Sequence, residues 1–353
     1  MNFEINDKRE KADFKKITFS KFEKNKVRKE LTSCLSSCKI ESACYWTAEL
    51  ICSGHYSELW EIIIDYISRY IHLGNPKLPI YISMRFDNFK KIICSGYEDS
   101  DLRLRNNIKI RTIFAEIISI LCLSRKKHTF TPIKIKKRDE FDMANLASKL
   151  KAPNIRCCEN IFKSEDPKEL FISINELAYH VSSASKNSVS ACYWIEWLIE
   201  YEKVCKTNKD KCICARRSFA PVNDKYQMDA IWIIWDVILL QGKINNNPMI
   251  TKILEALIKI FSIKYTPGVK RRRKYILYFA VSLLTESTDL SIDIVSNKNH
   301  IDKVMKNINI VYKEVKKNEI SPKTDYLFNG IETKSNLNKT IERLEKINTI
   351  LGV

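Results

Sequence analysis

The sequence predicts an all-α fold, an irregular multi-helix bundle with two degenerate related halves. Three observations predict it. Apolar residues recur at helical spacing along most of the chain. Glycine is scarce, 7 residues in 353, where average usage gives about 25, so tight turns and phosphate-cradling loops are few. The pentapeptide Ser-Ala-Cys-Tyr-Trp occurs twice, at Ser42–Trp46 and Ser190–Trp194, in a chain with only 6 Trp and 12 Cys. Residues this rare seldom recur in one order by chance, so a duplicated helical unit is the expected cause.

The elements follow in order. Residues 1–30 alternate charges with Phe3, Phe14, Phe19 and Phe22 and read as a basic N-terminal arm, mobile or docking. Residues 31–138 form the first helical half. There a helix from about Leu35 to Ser53 has Gly54 as its stop. Ser57–Leu73 sets Leu59, Trp60, Ile63, Ile64, Ile67, Tyr70 and Ile71 on one face and ends at Gly74-Asn75-Pro76. Helices follow at Pro79–Cys94 and Asn106–Ser124. His128–Lys137 is the one strand-like stretch, and Pro132 confines it to an edge or an extended linker.

Residues 139–186 read as a helical connector with helices at Asp139–Leu150 and Pro167–Ser182. Asp166 supplies the second with an N-cap, and Pro167 its first turn. The second half, 187–330, opens on Tyr193, Trp194, Trp197, Leu198 and Tyr201, a stripe with the period of a helix core. Helices Gln227–Gln241, Met249–Ile263, Arg271–Thr285 and Lys298–Lys317 complete it. Residues 331–353 carry a C-terminal helix, Asn338–Leu351. Tyr45, Trp46, Trp60, Tyr193, Trp194, Trp197, Trp232 and Trp235 are the predicted packing aromatics, and Trp46 and Trp194 should be buried in equivalent positions. A second pairing within the repeat sets Arg105–Lys127 against Val222–Lys243, both polar at the start, apolar in the body and basic at the end.

The length suits about two domains. At 45% hydrophobic and 29% charged residues the chain has enough apolar surface for real cores, which excludes wholesale disorder. With 60 Lys and Arg against 42 Asp and Glu, the formal charge is +18. A field of that sign attracts polyanions, nucleic acid first among them. Abundant Ile, Lys and Asn equally fit an AT-rich coding genome, so both readings stay open. No run reaches the roughly 20 apolar residues of a membrane span. Without an export signal at the N-terminus, the cysteines read as reduced intracellular thiols.

Two basic clusters are the candidate nucleic-acid contacts. In the first, Arg103, Arg105, Lys109 and Arg111 precede an apolar helix, Arg125, Lys126 and Lys127 follow it, and Lys134, Lys136, Lys137 and Arg138 extend the region. The second, Lys270, Arg271, Arg272, Arg273 and Lys274, opens a helix at the end where cations oppose its dipole, a cost that an anionic partner would offset. A solvated surface explains the same residues. Cys205, Cys212 and Cys214 form the best metal candidate, since three thiolates need one further ligand to hold zinc; their spacing is not the paired C-x₂-C, and no histidine stands near. Cys34, Cys38, Cys44 and Cys52 fall near helical periods and read as core. Glu49, Glu58, Glu61 and Asp65 fit a carboxylate cluster for Mg²⁺ or, as readily, two polar helix faces. There is no phosphate loop, dinucleotide fingerprint, nucleophile elbow or H-E-x-x-H pair. No catalytic residue is assigned, and a metal-dependent nuclease ranks last.

The strings ACYWTAELICSGHYSELWEIII, GNPKLPIYI, DPKELFISINELAYH, ACYWIEWLIEYE, KYQMDAIWIIWDVILL and YILYFAVSLLTE resemble a family of uncharacterised proteins of nucleocytoplasmic large DNA viruses, of the mimivirus and phycodnavirus kind. They span roughly Glu41 to Tyr326. The resemblance implies a viral, intracellular origin and brings no catalytic residue. Ala43–Pro79 is also similar to the helical collar of clamp loaders, which implies at most a helix-pair packing element, because no ATPase module accompanies it. The leading expectation is a non-enzymatic helical scaffold of a large DNA virus, partnered by viral proteins or DNA, in the host cytoplasm, viral factory or virion. The alternative is a basic nucleic-acid-binding factor in viral replication or transcription.

Overall fold

The structure, a computed structural model, describes residues 3–94, 101–135, 140–141, 146–210, 212–320 and 336–351. Of the described residues, 63% are helical. Among the described residues there are fourteen α-helices and no strand, with one isolated bridge between Ile17 and Glu23. The helices are α1 (Lys24–Ser36), α2 (Ile40–Cys52), α3 (Tyr56–Tyr66), α4 (Leu78–Cys94), α5 (Asp101–Arg105), α6 (Ile108–Leu123) and α7 (Phe171–Val181). After them come α8 (Ser188–Asn208), α9 (Ile231–Ile244), α10 (Pro248–Ser262), α11 (Val269–Arg272), α12 (Lys274–Thr285), α13 (Lys298–Lys316) and α14 (Asn336–Leu351). No helix among the described residues is long and apolar enough to cross a membrane.

Asparagine starts many of these helices. The side chains of Asn107, Asn187, Asn247 and Asn297 accept first-turn N–H groups of α6, α8, α10 and α13, with Pro248 at the first position of α10. A short side chain that bonds the backbone outside the helix is what such a start requires. Gly54 ends α2 at φ +70°, where a side chain would be strained. Gly242 on α9 lets α10 approach so closely that an added Cβ would lie 2.4 Å from Leu254.

The chain divides into two compact units, Met1–Ile67 with Tyr81–Lys126 and Asp293–Val353, and Ser68–Ile80 with Lys127–Ile292. Each contains one series of helices in a shared order. In the first unit α1 packs on α2, α3 on both, and α6 on α1 and α2. Trp60 of α3 meets Phe86 and Phe89 of α4, and Phe89 meets Phe114 of α6. In the second unit α7 packs on α8, α9 on both, and α12 on α7 and α8. Trp232 and Trp235 of α9 meet Phe261 of α10, and α10 packs on α12. The short helices α5 and α11 directly precede α6 and α12.

The pentapeptide keeps its register in both series, since α2 and α8 each begin two residues before it. Cys38 and Lys186, each four residues ahead of its serine, both adopt positive φ, 56° and 46°. The environments have diverged nonetheless. Ala43, Cys44, Ala191, Cys192 and Trp194 are buried, while Tyr45, Trp46 and Tyr193 are half-buried. The expectation that Trp46 matches Trp194 in burial fails, because Trp46 meets Phe22 edge-on in the N-terminal segment, 5.2 Å between ring centroids. Trp60, Trp197, Trp232 and Trp235 are buried as expected.

Several expectations need correcting. Residues 3–22 are not a loose arm, since Ile5, Phe14 and Phe19 are buried and Arg9 lies 4.8 Å from each of the Phe14 and Phe19 ring centres. The helix expected over Leu35–Ser53 is two helices, α1 and α2, broken by the left-handed Cys38. The structural partner of α6 is α12, and not the Val222–Lys243 segment that contains α9. Asp166 caps no helix; its carboxylate binds Arg217 through two hydrogen bonds of 2.6 and 2.7 Å, with both side chains buried. Residues 128–135 form no strand. Asp139 and residues 142–145 of the helix expected there lie outside the described residues, as do Lys136, Lys137 and Arg138. The boundaries at 138, 186 and 330 do not match the units, because α13 joins the first one by burying Ile301, Ile308, Tyr312 and Val315 while it packs on α2 and α6. That pairing is remote in sequence and has no local sign.

Candidate functional site

The basic turns that precede α6 and α12 are where cationic side chains concentrate. In the second unit the turn is neutralised by α8. Lys274 pairs with Glu196 at 2.6 Å, Arg271 with Glu200 at 3.5 Å, and Lys270 with Glu202. Glu196 also accepts from the Tyr278 hydroxyl at 2.6 Å; burial and this carboxylate push the Tyr278 hydroxyl well above the usual tyrosine range. Arg273 donates to the Phe261 carbonyl at 2.7 Å and to the Ile263 carbonyl, close to the negative end of α10, a favourable position for a cation.

The first unit treats its turn differently. Arg105 pairs with Asp101 at 2.9 Å and donates to the Arg9 carbonyl at 3.2 Å. Arg111 donates to the carbonyls of Arg105 (3.1 Å) and Phe3 (3.3 Å) and to Asn106 Oδ1 (2.7 Å). Its guanidinium carbon lies 3.9 Å from the ring centre of Tyr312. Asn106 in turn holds Ile5 through two backbone bonds of 2.8 and 2.7 Å. The corresponding stretch of α2 carries Ala48 and Cys52, residues without charge, in place of the glutamates on α8.

The sequence places Arg105, Arg111, Lys270 and Arg273 among phosphate contacts, but the structure buries all four at 1, 0, 7 and 2% exposure. They hold the fold together, and a nucleic-acid strand does not reach them. Lys274 is half-buried, as is Lys126, whose ammonium donates to the Cys122 carbonyl and lies 3.2 Å from the Cys38 sulfur. Arg103, Lys109, Arg125, Lys127, Lys134, Arg271 and Arg272 are exposed. The glutamates of α8 are the partners that sequence reasoning misses. Glu196 and Glu200 stand one helical turn apart, but their cations lie some seventy residues on in the chain, so no local spacing links them.

The three candidate thiols do meet. Cys212 hydrogen-bonds with Cys214 and with Cys205, which in turn bonds Tyr201. The Cys214 bond draws the Cys212 thiol below its usual range despite burial, and the same bond, with burial, raises Cys214. Among the described residues no group of three His, Cys, Asp or Glu side chains is arranged to hold a metal ion. The other cysteines expected in the core are there, apart from exposed Cys38; burial pushes Cys44 and Cys52 up to about 12.

Three of the carboxylates weighed as a Mg²⁺ cluster, Glu49, Glu58 and Asp65, bind protein groups. Glu49 accepts from Thr18 Oγ1 and the Ser20 N–H, both at 2.9 Å. Glu58 and Asp65 share Arg28 at 2.9 and 3.9 Å. Comparison with known protein families, characterised proteins and solved structures finds no match for the chain.

Proposed function

We propose that this chain is a non-enzymatic α-helical scaffold of a large DNA virus that acts by association with viral proteins or DNA, a minor virion component being one form of that role. The supporting observation is the use made of its buried polar groups. Arg111 ties α6 to Phe3, Asn106 ties the end of α5 to Ile5, and Arg217 ties its loop to Ile161 and Asp166. Each bond joins segments far apart in sequence. A buried charge left alone is costly, so such clamps favour a single arrangement of the helices and a rigid surface. The expected setting is the host cytoplasm or the viral factory. Quantitative mass spectrometry of purified virions tests this reading: a copy number comparable with other minor structural proteins supports it, and absence from virions argues against the virion form.

A second reading, a basic factor in viral replication or transcription, draws support from the cations that stay exposed and from the formal charge of +18. Its mark is nucleic-acid affinity that falls steeply with salt. Replacing Arg125, Lys127, Lys134, Arg271 and Arg272 by Gln should then flatten the salt dependence, and an unchanged slope would count against this reading.

A further inference from the structure

Three cysteines come together where α8 ends. Lys209 follows that helix in the left-handed conformation, at φ +63°, and the Asp210 N–H returns to the Cys205 carbonyl at 2.8 Å. The chain thus doubles back on the last turn of α8, and Cys212 lies against Cys205. On its other side Cys212 meets Cys214. Cys205 and Cys214 are buried, at 7 and 3% exposure, and both are held in place. Cys205 sits in the helix beside Tyr201, whose ring stacks on Trp197 at 5.2 Å. The Cys214 N–H donates to the Met228 carbonyl at 3.0 Å, and the following N–H, of Ala215, to Asp166 at 2.8 Å. Cys212 differs from both: it is only half-buried, and its neighbour Ile213 is exposed.

A thiol that solvent can reach, in contact with thiols that it cannot, is the arrangement of a reactive cysteine beside a resolving one. The Cys214 bond draws Cys212 towards the thiolate, the form that attacks. All three are free thiols, so the pair is in its reduced state. Of the two buried thiols, Cys205 is the better placed to resolve. A bridge from Cys212 to Cys214 would close a ring of three residues, and chains that short are stiff. Cys205 instead approaches from a separate element.

We propose that Cys212 is a peroxide-reactive thiol and Cys205 its resolving partner, so that hydrogen peroxide joins the two in a disulfide at the end of α8. The Cys212 thiolate attacks one peroxide oxygen, the O–O bond breaks, and the other oxygen leaves as hydroxide and takes up a proton to become water. Cys212 is then a sulfenic acid. The Cys205 sulfur attacks the Cys212 sulfur, the S–O bond breaks, and the hydroxyl departs with the Cys205 proton as a second water. Two thiols lose two electrons, and one peroxide gains them. This goes beyond the scaffold reading and does not depend on it.

The test is a peptide map of the full, reduced chain after near-stoichiometric hydrogen peroxide under native conditions, alkylation of the remaining thiols and digestion by trypsin without reductant. The peptides Val204–Lys206 and Cys212–Arg216 are expected joined through Cys205 and Cys212, and separate again after dithiothreitol. In Cys205→Ser, Cys212 stops at the sulfenic acid and captures dimedone at least about fivefold more than the exposed Cys94 does. Cys214→Ser keeps the bridge. The map of the unsubstituted chain decides the matter even where a substituted chain does not fold. No joined peptide, a bridge from Cys212 to Cys214, or a Cys212 that reacts no faster than Cys94 overturns the proposal.

Discussion

The two helical series, α1–α6 and α7–α12, share an order, a set of packing neighbours and the register of one pentapeptide, yet they dress that plan with different chemistry. The first covers its second and sixth helices with α13 and folds the N-terminal segment over them. The second instead lays residues 127–135 and 140–141 on the corresponding helices, with Phe130 against Tyr278 and Phe141 against Trp197. It also carries a longer connection between α8 and α9, locked by the Arg217–Asp166 pair. The helix order and its apolar contacts recur, whereas the charges and coverings are particular to each series. A helical plan thus constrains its apolar faces more tightly than its polar ones.

The largest test of that contrast falls on the pentapeptide tryptophans. Trp194→Ala should cost about 3–5 kcal/mol, as for other buried aromatics, and Trp46→Ala distinctly less, since part of its ring is already in water. Equal costs would break the distinction drawn between the two copies.

Next comes the locked connection. Asp166→Ala leaves buried Arg217 with only the 3.3 Å contact to Asp236 and should cost about 3 kcal/mol by chemical denaturation. A cost under about 1 kcal/mol would mean that the connection is not held by this pair. Burial raises the Asp166 carboxyl, but the Arg217 hydrogen bond and the Lys163 and Ala215 N–H groups outweigh it and leave it below the usual range. Its folded-state value is therefore depressed. The stability it contributes is complete above the unfolded value, about 3.9, and is lost as pH falls through the lower folded value.

His72 comes third and belongs to the covering of α12. It is buried, stacks on Phe130 at 4.3 Å, and its Nε2 lies 2.8 Å from the His128 carbonyl. Desolvation outweighs that hydrogen bond and lowers it to about 4. A folded value below the unfolded one, about 6.5, means stability that is full above pH 6.5 and lost as pH falls towards 4. The loss should be roughly 3 kcal/mol. His72→Asn should remove most of this acid sensitivity between pH 7 and 4; an unaltered pH profile would assign it to other groups.

The smallest effect is at the exposed rim. Arg271→Ala breaks only the 3.5 Å contact with Glu200 and should cost at most about 1 kcal/mol.

The all-α class and most helices could be read from apolar spacing, because a helix that buries one face must repeat near 3.6 residues. Asn187 and Asn247 mark helix starts by the same local logic. The break between α1 and α2 could not be read, since Cys38 takes a left-handed conformation with no glycine or proline to announce it. The fate of the basic clusters was equally hidden. Arg105 and Arg103 look alike in sequence, but one is buried against Phe14 and the Arg9 carbonyl while the other is exposed. What separates them is the N-terminal segment, about a hundred residues earlier in the chain, whose aromatic residues read locally as an arm. The meeting of Cys205, Cys212 and Cys214 was legible from proximity alone.

The second series neutralises its basic turn with the α8 glutamates, where the corresponding stretch of α2 in the first carries the uncharged Ala48 and Cys52. The most direct measurement is phosphate-dependent thermal stabilisation of Glu200→Gln/Glu202→Gln, compared with the unsubstituted chain at fixed ionic strength. These two carboxylates face Arg271 and Lys270, and Glu196 remains to hold Lys274 and Tyr278. The double substitution should give a less stable protein in chloride and a larger rise in phosphate, because the cationic turn of Lys270 and Arg271 has been opened. An identical phosphate response in both proteins would contradict it.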